Sequence, residues 1–309
     1  MGVIGRNARQ KVTASTPSPK KLSRKKKWKK YLPAILLLLP LLLFIIGFFV
    51  VPMLYILYLS FIQTEGLDTE AASYSLQNYI TFFTDSYYLH SLWVTVKISL
   101  YTVLVSLVLG YPVALTMAKS SPKMRGLLAL LVASPLLISI VVRNFGWYLL
   151  LLPNGFVSNL LGVVGLAPRL LFSESGVVIG LANAYLPFMI LAIATSLYNI
   201  DPSLTKASSI LGAGPIRSFI SITLPLSLPG IVSGMVLVFS MSMSAYVTPA
   251  LMGGSNVPML PVVAYDQIIN LLRWTYGSAI SYVLLGITLL TVTIFTRMIE
   301  RGRFKEVFR

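Results

Sequence analysis

The sequence predicts an all-α integral membrane protein with about six transmembrane helices, on three observations. The 309 residues are 56% hydrophobic and only 11% charged, with a mean hydropathy of +0.81, whereas a soluble domain carries roughly 25% charged residues. So few charges cannot cover a water-facing surface, and the surface must face lipid. The apolar residues also gather into six runs, each of the length that crosses a bilayer. Finally, Lys and Arg fall almost entirely on one side of the topology those runs imply.

Taken in order, the first 30 residues hold eleven Lys and Arg. A basic block of this kind can bind nucleic acid. Here it abuts a long apolar run, which makes it a cytoplasmic flank that fixes topology and touches anionic membrane lipid, with no nucleic-acid partner. Thr13, Ser15, Thr16, Pro17, Ser18 and Pro19 mark this tail as disordered. The run that follows is too long for a cleaved signal, so the first span is expected at 31–61, with Pro40 and Pro52 as sites for a kink. An acidic outer (periplasmic) loop, 62–91, carries Tyr74, Tyr79, Phe82, Phe83, Tyr87 and Tyr88. It reads either as an interfacial aromatic belt or as a surface for an extracytoplasmic partner. Further spans are expected at 92–118, 127–152, 176–198, 228–251 and 277–299, before a short tail, 301–309.

With six spans, 21 of the 25 Lys and Arg lie on one side. Arg169 and Arg273 lie on the other, and Lys97 and Arg143 lie within spans. Glu65, Asp68, Glu70, Asp85, Glu174 and Asp266 all fall on the side poor in Lys and Arg. Both termini are therefore expected in the cytoplasm. One helix more or fewer would put basic loops on both sides. The chain has no cysteine, which excludes disulfides and thiol chemistry. Its single histidine, His90, reads as structural, and no catalytic or metal-binding constellation occurs.

The loop between spans four and five, 201–225, carries the clearest local signal. Asp201 is a helix cap and Pro202 suits a first helical position. Leu204, Ala207, Ile210 and Leu211 share one face at helical spacing. Gly212 and Gly214 are expected to end that helix in a left-handed conformation. Pro215 starts a second short helix, with Ile216, Phe219 and Ile220 on its apolar face. Pro225 and Pro229 are expected to break the chain before span five. Such apolar faces at a membrane surface call for a partner.

This loop resembles the "EAA" motif of permease subunits of binding-protein-dependent ABC importers. Ala207 stands at the first alanine and Gly212 at the glycine, while Ile222, Leu224 and Pro225 match the apolar-Pro ending. Two positions depart: Lys206 replaces the glutamate and Ser208 the second alanine, which reverses a charge at the docking surface. SPLLISIVVRNFGW at 134–147, LPNGF at 152–156, GYPVA at 110–114 and SAYVTPALMGG at 244–254 are similar to the first permease of spermidine/putrescine-type systems. The likeness covers about 92–300. It implies a type I ABC importer permease (MetI-like) fold in a bacterial inner membrane. The implied partners are an ATPase dimer, a second homologous permease and a periplasmic solute-binding protein. It also implies that Leu204, Lys206, Ala207, Leu211, Gly212, Ala213, Phe219 and Pro225 meet the ATPase, and that the solute is polyamine-like. The chain has no Gly-x-x-x-x-Gly-Lys-Ser/Thr pattern and is expected to bind no cofactor, with ATP held by the partner.

Polar residues within spans are the candidates for a translocation path. Arg143, Asn144 and Trp147 stand in span three, Asn183, Tyr185 and Pro187 in span four, and Tyr246 and Thr248 in span five. Lys97, near an outer edge, is expected to snorkel. A carrier driven by an ion gradient is the competing reading, but it calls for carboxylates inside the spans, and the six spans contain none. A membrane scaffold without transport is another.

Overall fold

The computed structural model describes residues 37–63, 73–153, 155–163 and 170–300. The tail 1–30, Glu65, Asp68, Glu70, Asn154, Arg169 and the tail 301–309 lie outside the described residues. Among the described residues, six helices are long and apolar enough to cross a membrane.

The chain divides into two units, 1–55 and 56–309. Helix α1, Leu37–Ser60, begins in the first and ends in the second. It widens to a π-turn at Ile46–Val50, and neither Pro40 nor Pro52 ends it. In the second unit a small antiparallel ribbon follows, with β1 (Ile62–Gln63) paired to β2 (Ser73–Tyr74). Helix α2 (Gln77–Thr84) is tied back by Asn78, whose side-chain amide donates to the carbonyls of Ser60 and Ile62 at 3.1 and 2.9 Å. Helix α3 (Ser86–Lys119) starts six residues before the sequence places span two. The reason is local: the Asp85 carboxylate accepts the Tyr87 N–H at 2.8 Å and caps the helix.

Span three is not the continuous helix the hydropathy suggests. Helix α4 (Pro122–Ala133) gives way to a 3₁₀ turn at Ser134–Leu137, and α5 (Ile140–Leu151) starts afresh. Pro135 has no N–H to continue the ladder, and the chain turns extended at Ile138 before α5. Helix α6 (Phe156–Val163) follows. The candidate crossing here is Ile140–Leu160, not 127–152. Helix α7 (Glu174–Tyr198) fits span four closely and is the most deeply buried of the six.

Beyond the short α8 (Pro202–Ile210), span five also departs from expectation. Helix α9 runs over Pro215–Met243, through a π-turn at Phe219–Thr223. Pro225 and Pro229 therefore do not break the chain. Pro225 follows closely on the π-turn inside this continuous helix. The break comes later, at Ser244–Tyr246, and α10 (Val247–Met252) follows. Helices α11 (Leu260–Tyr265) and α12 (Trp274–Glu300) complete the fold.

Helices α3, α7 and α9 pack against one another and form the centre of the core. The α3 face in that core is a row of hydroxyls: Ser91, Thr95, Ser99, Thr102 and Ser106 are all fully buried. Their spacing keeps them on one face, and their small size lets backbones approach. Ser91, Thr95 and Ser99 donate to carbonyls one turn back, so their polarity is met within the helix. Thr95 also accepts the N–H of Leu260 at 2.7 Å, which caps α11. On α9, Gly230 serves the same close approach: a Cβ there would stand 2.5 Å from the Ser196 Cβ and 2.7 Å from the Ala192 carbonyl. A second cluster, including Phe82, Tyr88, Leu260, Tyr276 and Ile280, joins α2, the start of α3, α11 and α12.

Candidate functional site

The loop 201–225 folds as a helical hairpin. The Asp201 carboxylate accepts the Ser203 N–H at 2.8 Å, which starts α8 and holds the Asp201 carboxyl below its ordinary pKa. Gly212 ends α8 with φ +81°, a conformation that side chains other than glycine adopt at a penalty. Gly214 instead has φ −65° and serves as the cap before Pro215. The two arms are joined inside by a buried hydrogen bond from Ser208 Oγ to Ser218 Oγ at 2.8 Å. Ser208, the departure from the alanine of the EAA pattern, thus holds the hairpin together.

The outer face of the hairpin is apolar and uncovered. Ile210 and Leu211 are each 86% exposed and Ile216 is 75% exposed, with Leu204 and Ile220 also exposed. Lys206 and Ala207 lie on the surface beside them, and Ala213 is half-buried. Phe219 instead turns inward, with its ring 5.7 Å from that of Tyr111 on α3. Pro225 lies within α9. No slack separates the hairpin from the core: three residues link α7 to α8, and four link α8 to α9.

The in-span candidates divide into separate settings. Arg143 and Tyr185 line one cavity of about 330 Å³ with Phe188, Met241 and the 136–140 turn. The Arg143 guanidinium donates to the carbonyls of Pro135 and Ile138 and so braces the 3₁₀ turn, whose Pro135 carbonyl also accepts the Ile138 N–H. Asn144 and Thr248 are brought together but sealed: Asn144 Nδ2 donates to Thr248 Oγ1 at 2.8 Å, and both residues are buried. Trp147 packs against the core, Asn183 is half-buried and Pro187 is buried. Tyr246 stands in the break after α9, with its ring 4.4 Å from that of Tyr265.

Three features lay outside sequence reasoning. Lys97 does not simply snorkel: its Nζ pairs with Glu174 at 2.6 Å, linking α3 to the first turn of α7. Arg125 lies over the Tyr198 ring, 4.1 Å from its centroid, and donates to the Ala118 carbonyl at 3.0 Å. A polar cavity of about 730 Å³ is lined by residues that include Gln63, Asn78, Asp85, Tyr88, Arg273 and Tyr276. Each joins residues about 70 or more positions apart, a separation that periodicity cannot bridge.

No protein-family model matches the chain. Curated relatives do. The chain is 31% identical over 256 residues to the spermidine/putrescine transport system permease protein PotB of Haemophilus influenzae, covering 82% of this chain and 89% of that protein. It is 32% identical over 260 residues to PotB of Escherichia coli, covering 82% and 94%. A sulfoquinovosyl glycerol transport system permease protein of Agrobacterium fabrum is 28% identical over 280 residues, covering 86% and 90%. Among solved structures, a chain of a bacterial alginate ABC transporter in complex with an alginate pentasaccharide-bound periplasmic protein superposes with TM-score 0.74 and 20% identity, covering 91% of this chain and 98% of that one. A second structure of a bacterial transporter that imports alginate gives TM-score 0.69 at 19% identity, covering 90% and 99%. These likenesses establish the MetI-like permease fold.

Proposed function

The chain belongs to the family of the spermidine/putrescine transport permease PotB, the multi-pass membrane subunits of ABC importers, and on that premise we propose that it carries a polyamine or a related organic solute across the bacterial inner membrane. It is a transport component rather than an enzyme. The nucleotide is bound by a separate ATPase dimer, a second similar permease completes the pathway, and a periplasmic binding protein delivers the solute. The hairpin end of the bundle and both termini face the cytoplasm, because 21 of 25 Lys and Arg gather on that side. The polar cavity with Asp85, Tyr88, Tyr276 and Arg273 then opens at the periplasmic end, with one carboxylate, one cation and aromatic rings in its wall.

One observation carries this reading: the exposed apolar face of a hairpin that is rigidly joined to the two helices at the centre of the core. A face of Leu204, Ile210, Leu211 and Ile216 is unfavourable in water and favourable in a protein groove. When the ATPases close, a docked hairpin moves as one body, and α7 and α9 move with it. ATP drives transport only so far as it stabilises one bundle arrangement over the other. The Arg143–Tyr185 cavity lies against these same two helices, through Tyr185 and Met241, so it changes shape with them.

The test is purification of the tagged chain from its native membrane, with mass spectrometry of its companions. An ATPase and a second permease are expected. Gly212→Asp is expected to remain in the membrane and lose ATP-dependent uptake, since the substitution strains the left-handed turn and charges the docking face. Uptake at the wild-type rate in that variant would remove this account of the loop.

A further inference from the structure

The hairpin carries a second surface feature beside its apolar face. A cavity of about 320 Å³ lies between α8 and the end of α3, and its lining includes Lys119, Thr205, Lys206, Ser209 and Phe219. Lys119 is the last residue of α3, and both lysines are exposed. Neither makes an ion pair among the described residues, and no carboxylate lines the cavity. Two of its four hydroxyls are committed, Thr205 to the Pro202 carbonyl and Ser209 to the Thr205 carbonyl; Ser218 and Thr223 also line it. Its charged donors are two ammonium groups. A neighbouring apolar cavity of about 500 Å³, lined by Pro215, Ile216 and Ile220, is edged by a third cation, Arg217. The one carboxylate in the hairpin, Asp201, caps α8.

We propose that the ATPase groove that receives this hairpin is acidic, with a carboxylate side chain that enters the cavity between Lys119 and Lys206. This rests on the docking role proposed above and gives its chemistry. Two lysines facing one cavity repel each other, and a carboxylate between them replaces that repulsion with two attractions. In water the gain is small. Once docking dries the cavity, each attraction strengthens, and a groove of the wrong sign is strongly disfavoured. The adjoining Ile210 and Leu211, each 86% exposed, require that the same partner also offer an apolar surface, and a protein groove supplies both. At position 206 the EAA pattern has glutamate and calls for a basic acceptor. Lys206 reverses the requirement, so this chain and its ATPase are matched to each other and mismatched to pairs of the opposite sign.

The experiment measures ATPase retained on the tagged, solubilised native complex at low and high salt. Lys206→Glu is expected to lower retention by about tenfold or more, and Lys206→Met by a few-fold. Raising salt should weaken the wild-type complex more than the Lys206→Met complex. Leu211→Asp serves as the control for docking itself. If Leu211→Asp releases the ATPase while Lys206→Glu keeps it, the acidic groove is overturned and the docking role stands. If both variants keep it, the docking role fails. Membrane level and elution profile should match wild type for Lys206→Glu, whose side chain is on the surface. If that variant instead keeps its ATPase but loses binding of phosphatidylglycerol vesicles, the cavity belongs to lipid and the proposal falls.

Discussion

The hairpin 201–225 and the α3–α7–α9 core follow opposite rules. The core buries hydroxyls, with Ser91, Thr95, Ser99, Thr102 and Ser106 all at zero exposure, while the hairpin displays isoleucine and leucine. Solvent explains both. Where lipid surrounds the bundle, apolar side chains gain little by leaving it, and helices are held by the close backbone approach that small side chains allow. The hairpin's exposed faces lie outside that setting, and an uncovered apolar face there points to a missing protein surface. In the core of the bundle the informative residues are the small and polar ones, and in the hairpin they are the large apolar ones.

Substitutions sharpen this contrast, because core changes should move stability and hairpin changes should move coupling. The largest stability effect is expected for Gly230→Ala. Its Cβ would meet the Ser196 side chain and the Ala192 carbonyl inside van der Waals distance, forcing α9 away from α7. A loss of about 1–3 kcal/mol is expected, read as a lower melting temperature in detergent. An unchanged melting temperature would show that the two helices do not need this approach. Asn144→Leu removes the buried bond to Thr248 that joins α5 to α10, for a smaller loss of about 0.6–1.7 kcal/mol in the same assay.

The smallest effect is expected at Asp201→Ala, and it should appear in ATPase coupling rather than in bundle melting. The Asp201 carboxyl is held below its ordinary pKa by the Ser203 N–H, so its contribution to the hairpin is present above the unfolded value and fades as pH falls through the folded one. Wild type and Asp201→Ala should therefore differ at neutral pH and converge in acid, as read by hydrogen exchange of the α8 amides. Equal exchange at neutral pH would remove the cap from the account.

Where a signal is local, the sequence revealed it. Spans four and six, the Asp201 cap, the Gly212 turn and the start at Pro215 all depend on residues within a few positions of one another, and each lies where local chemistry puts it. Span three misled for the same reason: hydropathy sums over 127–152 and is blind to the ladder that Pro135 interrupts. Phe219 sits at the right spacing for an outer face yet packs on Tyr111, a contact made across to α3 that the hairpin's own spacing does not contain.

By itself, then, the sequence determined the class, the number of apolar crossings, the side on which cations gather and the hairpin with its caps. Composition, charge and short-range backbone chemistry act along the chain and can be read along it. Tertiary structure alone decided that Lys97 meets Glu174, that Asn144 meets Thr248, that Arg125 rests on Tyr198 and that Lys119 shares a cavity with Lys206. Those pairs join residues from about 70 to more than 100 positions apart, brought together only by the packing of whole helices. Helix packing is set by the summed shape of many side chains, which no single stretch of sequence contains.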